Sequence, residues 1–140
     1  MKVKEANIRE MAELIQCGHL CFLNTVTGDL EYHPAEMYFF PDEENPWQEV
    51  IDKVENNWEY YVRIEPMNSS QSFAVMESFA DQLKADGFEK KLIAALNRPK
   101  PFRNFNYLIH ESDFRQEWFD FRQERNVEWV KEQISNLSEE

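Results

Sequence analysis

The stretch Leu20-Cys-Phe-Leu-Asn-Thr-Val-Thr-Gly-Asp-Leu-Glu-Tyr-His33 decides the fold class of this chain. Apolar and aromatic residues that favour extended backbone occupy both of its ends. Between them lies Thr25-Val26-Thr27-Gly28, and the glycine supplies the positive φ that a tight turn requires. The pattern therefore predicts a β-hairpin whose strands run from Leu20 to Asn24 and from Leu30 to His33.

Helical patterns lie on both sides of this hairpin. Before it, Asn7 and Glu10 have the spacing of a capping box at the start of a helix that ends at Gly18. After it, Asn45 and Pro46 predict the start of a second helix. The apolar residues at helical spacing, which we expect to be buried, are Ile8, Met11, Ala12, Ile15, Trp47, Val50, Ile51, Val54 and Trp58.

A further strand and a helical half complete the pattern. Tyr60 to Ile64 has the composition of a strand and is available to pair with the hairpin. Ser69 or Ser70 is the expected cap of the next helix, and Ser112 is the expected cap of the last one. The apolar phase of that last helix shifts near Arg125-Asn126, which predicts a bend or a break there.

The order of these elements predicts an α+β fold. An N-terminal helix and a small antiparallel sheet are followed by a mainly helical C-terminal half. The length of 140 residues and the absence of any linker rich in Gly or Ser predict a single domain over residues 1–140.

Composition limits the class of protein. Apolar residues make up 42% of the chain, with eleven Phe, five Tyr and four Trp, which is enough to build a core without disulfides. No apolar run approaches the roughly 20 residues of a membrane-spanning helix, and the N-terminus lacks the apolar segment of a secretory signal. Two cysteines fit a reducing compartment. We expect a cytoplasmic protein with no membrane partner.

The charge is unevenly distributed along the chain. The formal net charge is −12, with −12 on residues 1–89, +3 on residues 90–125 and −3 on residues 126–140. The whole protein should therefore be repelled by nucleic acid and by anionic membranes. Only the middle segment opposes that expectation.

That segment contains the most distinctive motif, Arg98-Pro-Lys-Pro-Phe-Arg-Asn-Phe-Asn-Tyr107. Its cations are Arg98, Lys100 and Arg103, and they alternate with aromatic rings. Basic groups interleaved with rings suit single-stranded nucleic acid, or an acidic protein surface. The preferred interpretation is internal: the cations pair with the protein's own carboxylates, and Phe102 and Phe105 join the core. The three cations remain candidate partner-binding residues.

A second aromatic group contains Trp118, Phe119 and Phe121, with Arg122 next to it. Three such rings do not fit one narrow helical stripe. Either the helix is buried on two sides, which is the preferred interpretation, or one ring is exposed for a partner. Trp118 and Arg122 are therefore also candidate partner-binding residues.

No complete motif for catalysis or metal binding is present in the sequence. Cys17, His19 and Cys21 lack the further ligands of a zinc site, so ordinary core thiols are the preferred interpretation. Three glycines exclude a glycine-rich phosphate loop, and neither Gly-x-Ser-x-Gly nor His-Glu-x-x-His occurs. We expect no cofactor and no metal. Paired carboxylates among the 27 acids stay open as catalytic groups.

Several short motifs resemble one family over nearly the whole chain. The hairpin Phe22-Leu-Asn-Thr-Val-Thr-Gly-Asp29 is similar to its "YLD-x-x-TGE" element, and Tyr61-Val-Arg-Ile-Glu-Pro66 to its "Y-x-x-IP" strand. Met76-Glu-Ser-Phe79 is similar to the "MEDF" helix that follows.

The most specific likeness lies further along the chain. Phe102-Arg-Asn-Phe105 and Glu117-Trp-Phe-Asp-Phe-Arg122 resemble the "F-R-x-F" and "W-Y-x-F-R" motifs, and Glu128-Trp129 resembles a terminal "E-W-L". The family's usual "GRGAF" turn is replaced by Arg98-Pro-Lys-Pro-Phe102. The chain thus resembles the bacterial uncharacterised protein family 0158. This resemblance implies a bacterial, cytoplasmic, single-domain protein with no recognised cofactor.

These observations lead us to expect a non-enzymatic interaction or regulatory protein with a protein partner. The alternatives are a small enzyme that uses scattered carboxylates, and single-stranded nucleic-acid binding through the basic and aromatic segment 98–125. Nucleic acid is not the expected partner because of the net charge, and the pattern sets no oligomeric state. An enzyme should have a deep pocket with convergent titratable groups, whereas a binding module should have an apolar or charged patch.

Overall fold

The computed structural model describes residues 3–37, 43–84 and 87–138. Within these residues it contains six α-helices and one antiparallel three-stranded sheet, which confirms the predicted α+β class. In chain order, the elements are α1 (Glu5–Gln16), β1 (His19–Asn24), β2 (Leu30–Pro34), α2 (Gln48–Asn56), β3 (Tyr61–Ile64), α3 (Ser69–Gln82), α4 (Phe88–Leu96), α5 (Pro101–His110) and α6 (Arg115–Ser138).

The chain divides into two compact units, which are described separately. The sheet unit comprises Met1–Pro66 and Asn126–Glu140, and the helical unit comprises Met67–Arg125. Helix α6 contributes residues to both units. A single domain over residues 1–140 stays a prediction.

The hairpin forms as the sequence predicts. Strand β1 pairs antiparallel with β2 and also with β3, so the sheet order is β2-β1-β3. The turn is closed by Gly28 N–H, which donates to Asn24 O at 2.8 Å, and Gly28 has a φ of +79°. The Asn24 side chain accepts from the backbone N–H groups of Val26 and Thr27 at 2.9 and 3.0 Å. Local hydrogen bonds therefore fix the turn, and with it the register of the two strands.

The core of the sheet unit lies under this sheet. Its buried residues are Ile8, Met11, Ala12, Ile15, Cys21, Leu23, Ile64, Val127 and Val130. The backbone just after β3 is held by α6 side chains: Glu65 O accepts from Trp129 Nε1 at 2.7 Å and from Gln133 Nε2 at 2.9 Å. Glu65 N–H donates to Gln133 Oε1 at 2.8 Å. These contacts satisfy backbone groups that an edge strand would otherwise leave open.

The core of the helical unit is aromatic. Its buried residues are Val75, Met76, Phe79, Ala80, Leu83, Leu92, Leu96, Phe105, Ile109 and Trp118. The Phe105 and Trp118 ring centroids lie 4.9 Å apart, and those of Phe79 and Trp118 lie 5.3 Å apart, both in edge-to-face geometry. Aromatic pairs prefer this arrangement, so the rings are ordered relative to one another.

Several predicted helix starts are wrong. Helix α1 begins at Glu5, so Asn7 lies inside it, and its side chain donates to Gly28 O at 3.5 Å and does not cap the helix. Helix α2 begins at Gln48, after Asn45 and Pro46, and Asn45 Oδ1 accepts instead from Trp47 N–H at 2.9 Å. In both places the side chain that was predicted to cap the helix forms a different hydrogen bond.

The start of α3 also differs from the prediction. Asn68 caps it, in a reciprocal capping box with Gln71, whereas Ser69 and Ser70 lie inside the helix. Ser112 lies before α6 and accepts from Phe114 N–H at 3.1 Å, in a turn that precedes the helix.

The burial expected along α2 is not found: none of its residues is fully buried, and Val50, Ile51 and Val54 are half-buried. Trp58 is 75% exposed, because α2 ends at Asn56 and Trp58 lies in a separate 3₁₀ turn, where the helical phase no longer applies. Helix α6 is continuous from Arg115 to Ser138, so the break, one of the two alternatives expected near Arg125-Asn126, is not found, and a bend there stays a prediction. The boundary between the two units does fall between these two residues.

Candidate anion-binding pocket

The junction between α4 and α5 is basic. Between Glu89 and Glu111 the chain has five Lys or Arg and no Asp or Glu. Helix α4 ends at Leu96, and its last turn is closed by Asn97, whose Nδ2 donates to Ile93 O at 3.0 Å. Pro101 then occupies the first position of α5, where a missing N–H costs little. The short connection brings the cations of both helices together.

A pocket of about 580 Å³ opens at this junction within the helical unit. Four cations line it, namely Lys91, Arg98, Lys100 and Arg103. The other residues that line it are Ala94, Ala95, Asn104, Tyr107 and Leu108. The structure thus brings the three predicted cations to one place and adds Lys91, Asn104 and Tyr107 to them.

The four cations are exposed, and none of the pocket-lining residues is a carboxylate. Within the described residues, none of the four forms an ion pair with a carboxylate. Internal pairing, the preferred interpretation of Arg98, Lys100 and Arg103, is therefore not found there. Four neighbouring positive charges repel one another, so an anion placed among them would be stabilised.

Lys100 has an unusual backbone conformation. Its φ is +61°, and among the described residues it is the one non-glycine with a positive φ. A residue other than glycine in this region costs about 1–3 kcal/mol and persists where the surroundings enforce it. Here Asn104 Nδ2 donates to Pro99 O at 2.9 Å, and Asn104 N–H donates to Lys100 O at 3.1 Å. These bonds hold the connection, and with it the position of Lys100.

Helix α5 has two different faces. Phe105 and Ile109 are buried, as their helical spacing predicts. On the other side, Tyr107 follows Arg103 by four residues and Asn104 by three, which places its side chain beside both of them on the helix surface. Tyr107 is 67% exposed, so its ring is open to solvent beside the cations.

Pro99 and Pro101 predict an extended backbone over residues 98–103, and this prediction is wrong for the last three of them. Pro101 begins α5, so Phe102 and Arg103 are helical. Proline fixes its own φ at about −65°, which is compatible with the first position of a helix, and Lys100 before it lies outside the helix.

Trp118 and Arg122 lie outside this pocket. The Trp118 side chain is 2% exposed and belongs to the aromatic core, so burial, the preferred interpretation of this group, is confirmed for Trp118. The Arg122 guanidinium lies 5.7 Å from the centroids of both the Trp118 and Phe119 rings. Arg122 therefore covers the edge of this core by cation–π contacts.

Cysteine and histidine form no site in the part of the chain that the structure describes. Burial, with a smaller contribution from Glu10, raises the pKa of the Cys21 thiol to about 12, so this thiol stays protonated at neutral pH. Cys17 is exposed. The His19 ring packs edge-on against Tyr32 and Trp47. Nowhere among the described residues do three His, Cys, Asp or Glu side chains converge as metal ligands would.

None of the described helices has the length and apolar character needed to cross a membrane.

Sequence reasoning found three of the four cations but missed Lys91 and Asn104. Lys91 lies on α4, and whether it comes close to the other three cations depends on how α4 and α5 pack. One signal was available: the run without acidic residues between Glu89 and Glu111 begins at Lys90, well before the basic and aromatic motif that starts at Arg98.

Comparison with known proteins gives a family but no activity. The model of the uncharacterised protein family UPF0158 matches residues 21–138, which confirms the resemblance. A UPF0158 protein of Pseudomonas aeruginosa is 30% identical over 88 residues, which cover 62% of this chain and 58% of that relative. This chain therefore spans less than two thirds of the length of the relative it matches. No solved structure is significantly similar to the chain.

Proposed function

The chain belongs to the uncharacterised protein family UPF0158, whose description states no activity, and we propose its function from the basic pocket. The protein is a non-enzymatic interaction protein that holds an anionic group of its partner between α4 and α5. The observation that carries this proposal is the set of four cations around one pocket, in a chain with a net charge of −12.

The distribution of charge between the two units supports the proposal. The helical unit contains nine Lys or Arg and nine Asp or Glu, so it is neutral, and the sheet unit bears the whole net charge of −12. The repulsion expected between the protein and an anionic partner therefore originates in the sheet unit. Exposed charges are screened beyond about 10 Å at 0.1 M salt, so the charges nearest to a bound anion contribute most to its stabilisation.

The chemistry of the pocket favours binding over catalysis. Its lining offers cations, an amide and a phenol, whereas general acid–base catalysis most often uses histidine or a carboxylate. An enzyme that uses scattered carboxylates would therefore need a different site. We place the protein, as an interaction protein of this kind, in the bacterial cytoplasm.

The test is a calorimetric titration with inorganic tripolyphosphate at low salt. We expect the wild type to bind, and the double variant R98E/R103E to bind at least about tenfold more weakly. A hydrogen bond to a charged group contributes about 1.5–3 kcal/mol, and this variant removes two such donors and adds repulsion.

The matched control is K84E/K90E. Lys84 and Lys90 are exposed residues of the same unit that do not line the pocket, and the change in net charge is identical. We expect this variant to bind almost as the wild type does. The proposal fails if the wild type does not bind at millimolar tripolyphosphate, or if both variants lose the same affinity.

A further inference from the structure

The pocket combines its cations with an exposed aromatic ring. Simple anion binding needs the first of these but not the second. We propose that the ligand is a nucleotide unit, whose phosphate lies among Arg98, Lys100 and Arg103 and whose base stacks on Tyr107. This inference rests on the proposed function and names the chemistry of the anion that the pocket binds.

The cations suit a phosphate group. Arg98 and Arg103 offer planar forks of donors that can bind two oxygens at once, whereas Lys91 and Lys100 offer compact charges. The Asn104 bonds to Pro99 and Lys100 hold the connection between the helices before any ligand arrives. A site ordered in advance loses less entropy on binding, which favours a small ligand.

Tyr107 and Asn104, which line the same pocket, suit a base. Tyr107 is 67% exposed, and stacking on an aromatic ring accepts any base because every base has a π face. Asn104 Nδ2 is engaged by Pro99 O, while Asn104 Oδ1 accepts no hydrogen bond from the described residues. That oxygen is an available acceptor for an amino group of a base.

The size and the apolar surface agree with this ligand. Ligand pockets commonly enclose about 300–1,000 Å³, and this pocket of about 580 Å³ lies within that range. Ala94, Ala95 and Leu108 supply apolar surface beside the cations. An acidic peptide would satisfy the cations as well as a phosphate does, but a peptide without aromatic side chains would give Tyr107 no stacking partner.

The first experiment compares adenosine 5′-monophosphate with inorganic phosphate by calorimetry. We expect the wild type to bind the nucleotide more tightly, since only the nucleotide can stack. Y107A should weaken nucleotide binding by about fivefold or more, which corresponds to the loss of one stacked base. Y107F, which keeps the ring, should bind as the wild type does. Tyr107 is exposed, so thermal unfolding should show all three proteins equally folded.

The tripolyphosphate titration separates this inference from the proposed function. Y107A should bind tripolyphosphate as the wild type does, because stacking plays no part in it. If tripolyphosphate binds but the nucleotide binds no more tightly than phosphate, or if Y107A leaves nucleotide affinity unchanged, the inference is overturned and the proposed function stands. If tripolyphosphate does not bind either, both are overturned.

A second arm identifies the source of the nucleotide unit. A fluorescent single-stranded RNA octamer of random sequence is titrated at several salt concentrations. A strand held by three or four phosphate contacts should bind much more tightly than the mononucleotide. The logarithm of its binding constant should then fall with the logarithm of the salt concentration with a slope of about −2 to −3. Equal affinity supports a free nucleotide. Tighter binding of an octaglutamate peptide than of either ligand would overturn the inference.

Discussion

At the scale of single residues, Lys100 links stability to the proposed binding. Its positive φ is unfavourable for any residue with a Cβ, yet the residue lines the basic pocket. In the "GRGAF" turn of the family pattern, a glycine stands where this chain has Lys100, when the final Phe is placed at Phe102. The chain therefore keeps a backbone conformation that glycine prefers while adding a charge there.

Replacing Lys100 by glycine tests whether the residue loses stability through its backbone conformation and gains affinity through its charge. The left-handed conformation costs an L-residue about 1–2 kcal/mol, of which glycine's greater flexibility in the unfolded chain offsets about half. We expect K100G to raise the free energy of unfolding by about 0.5–1 kcal/mol, in a thermal melt or a urea titration. Tripolyphosphate affinity should fall, because one of the four cations is lost.

The matched control is K90G, in the first turns of α4. There a glycine has no strain to relieve, so we expect a loss of stability of up to about 1 kcal/mol and unchanged affinity. If K100G is less stable than the wild type, the backbone at Lys100 is not strained and the prediction is wrong.

At the scale of elements, α5 and α3 show what a helical sequence does and does not determine. On α5, one stripe enters the core and another lines the pocket. On α3, the helix was predicted, but its capping residue was not. Three polar residues in a row, Asn68, Ser69 and Ser70, are all good caps, and only Asn68 has a Gln three residues later to complete the box.

The α3 cap gives a direct comparison between prediction and structure. We expect N68A to lower the free energy of unfolding by about 1 kcal/mol, because the N–H of Gln71 loses its acceptor. S69A should have little effect, or a small stabilising one, since Ser69 lies inside the helix. Chemical denaturation of both variants measures the difference. Equal destabilisation by S69A and N68A would favour the serine cap that the sequence suggested.

Periodicity and turn chemistry explain why much of the fold was predictable. The Asn24–Gly28 turn is made by local bonds, and Ile8, Met11, Ala12 and Ile15 are all buried at the expected spacing. The start of α1 was not predictable because Gly28, whose carbonyl accepts from the Asn7 side chain, lies far along the chain. The predicted burial of Trp58 was wrong because the helical spacing was extended past the end of α2.

For the site, composition revealed the cations but not their grouping. The sequence identified Arg98, Lys100 and Arg103 as a local group of positive charges. It could not show that they form no ion pair with a carboxylate of the described residues, because that depends on how the chain packs. Lys91 joins them only through the packing of α4 on α5. Tyr107 looked like one ring among several, and the helical phase of α5 is what turns it outward while Phe105 is buried.

At the scale of the whole molecule, charge is divided between the units. The sheet unit holds the net charge of −12, whereas the neutral helical unit holds the basic pocket. The negative sheet unit should slow the approach of anions that lack a specific fit and should keep the protein soluble. We therefore propose that the anion binds between α4 and α5, in the neutral unit.

The most direct test of that place is a nuclear magnetic resonance titration of the ¹⁵N-labelled protein with tripolyphosphate. We expect the largest amide shift changes within residues 91–108, with Arg98, Lys100 and Asn104 among them, and weak changes elsewhere. In R98E/R103E these changes should vanish, and in K84E/K90E they should persist. Shift changes concentrated in the sheet unit, or none at millimolar ligand, would contradict the account.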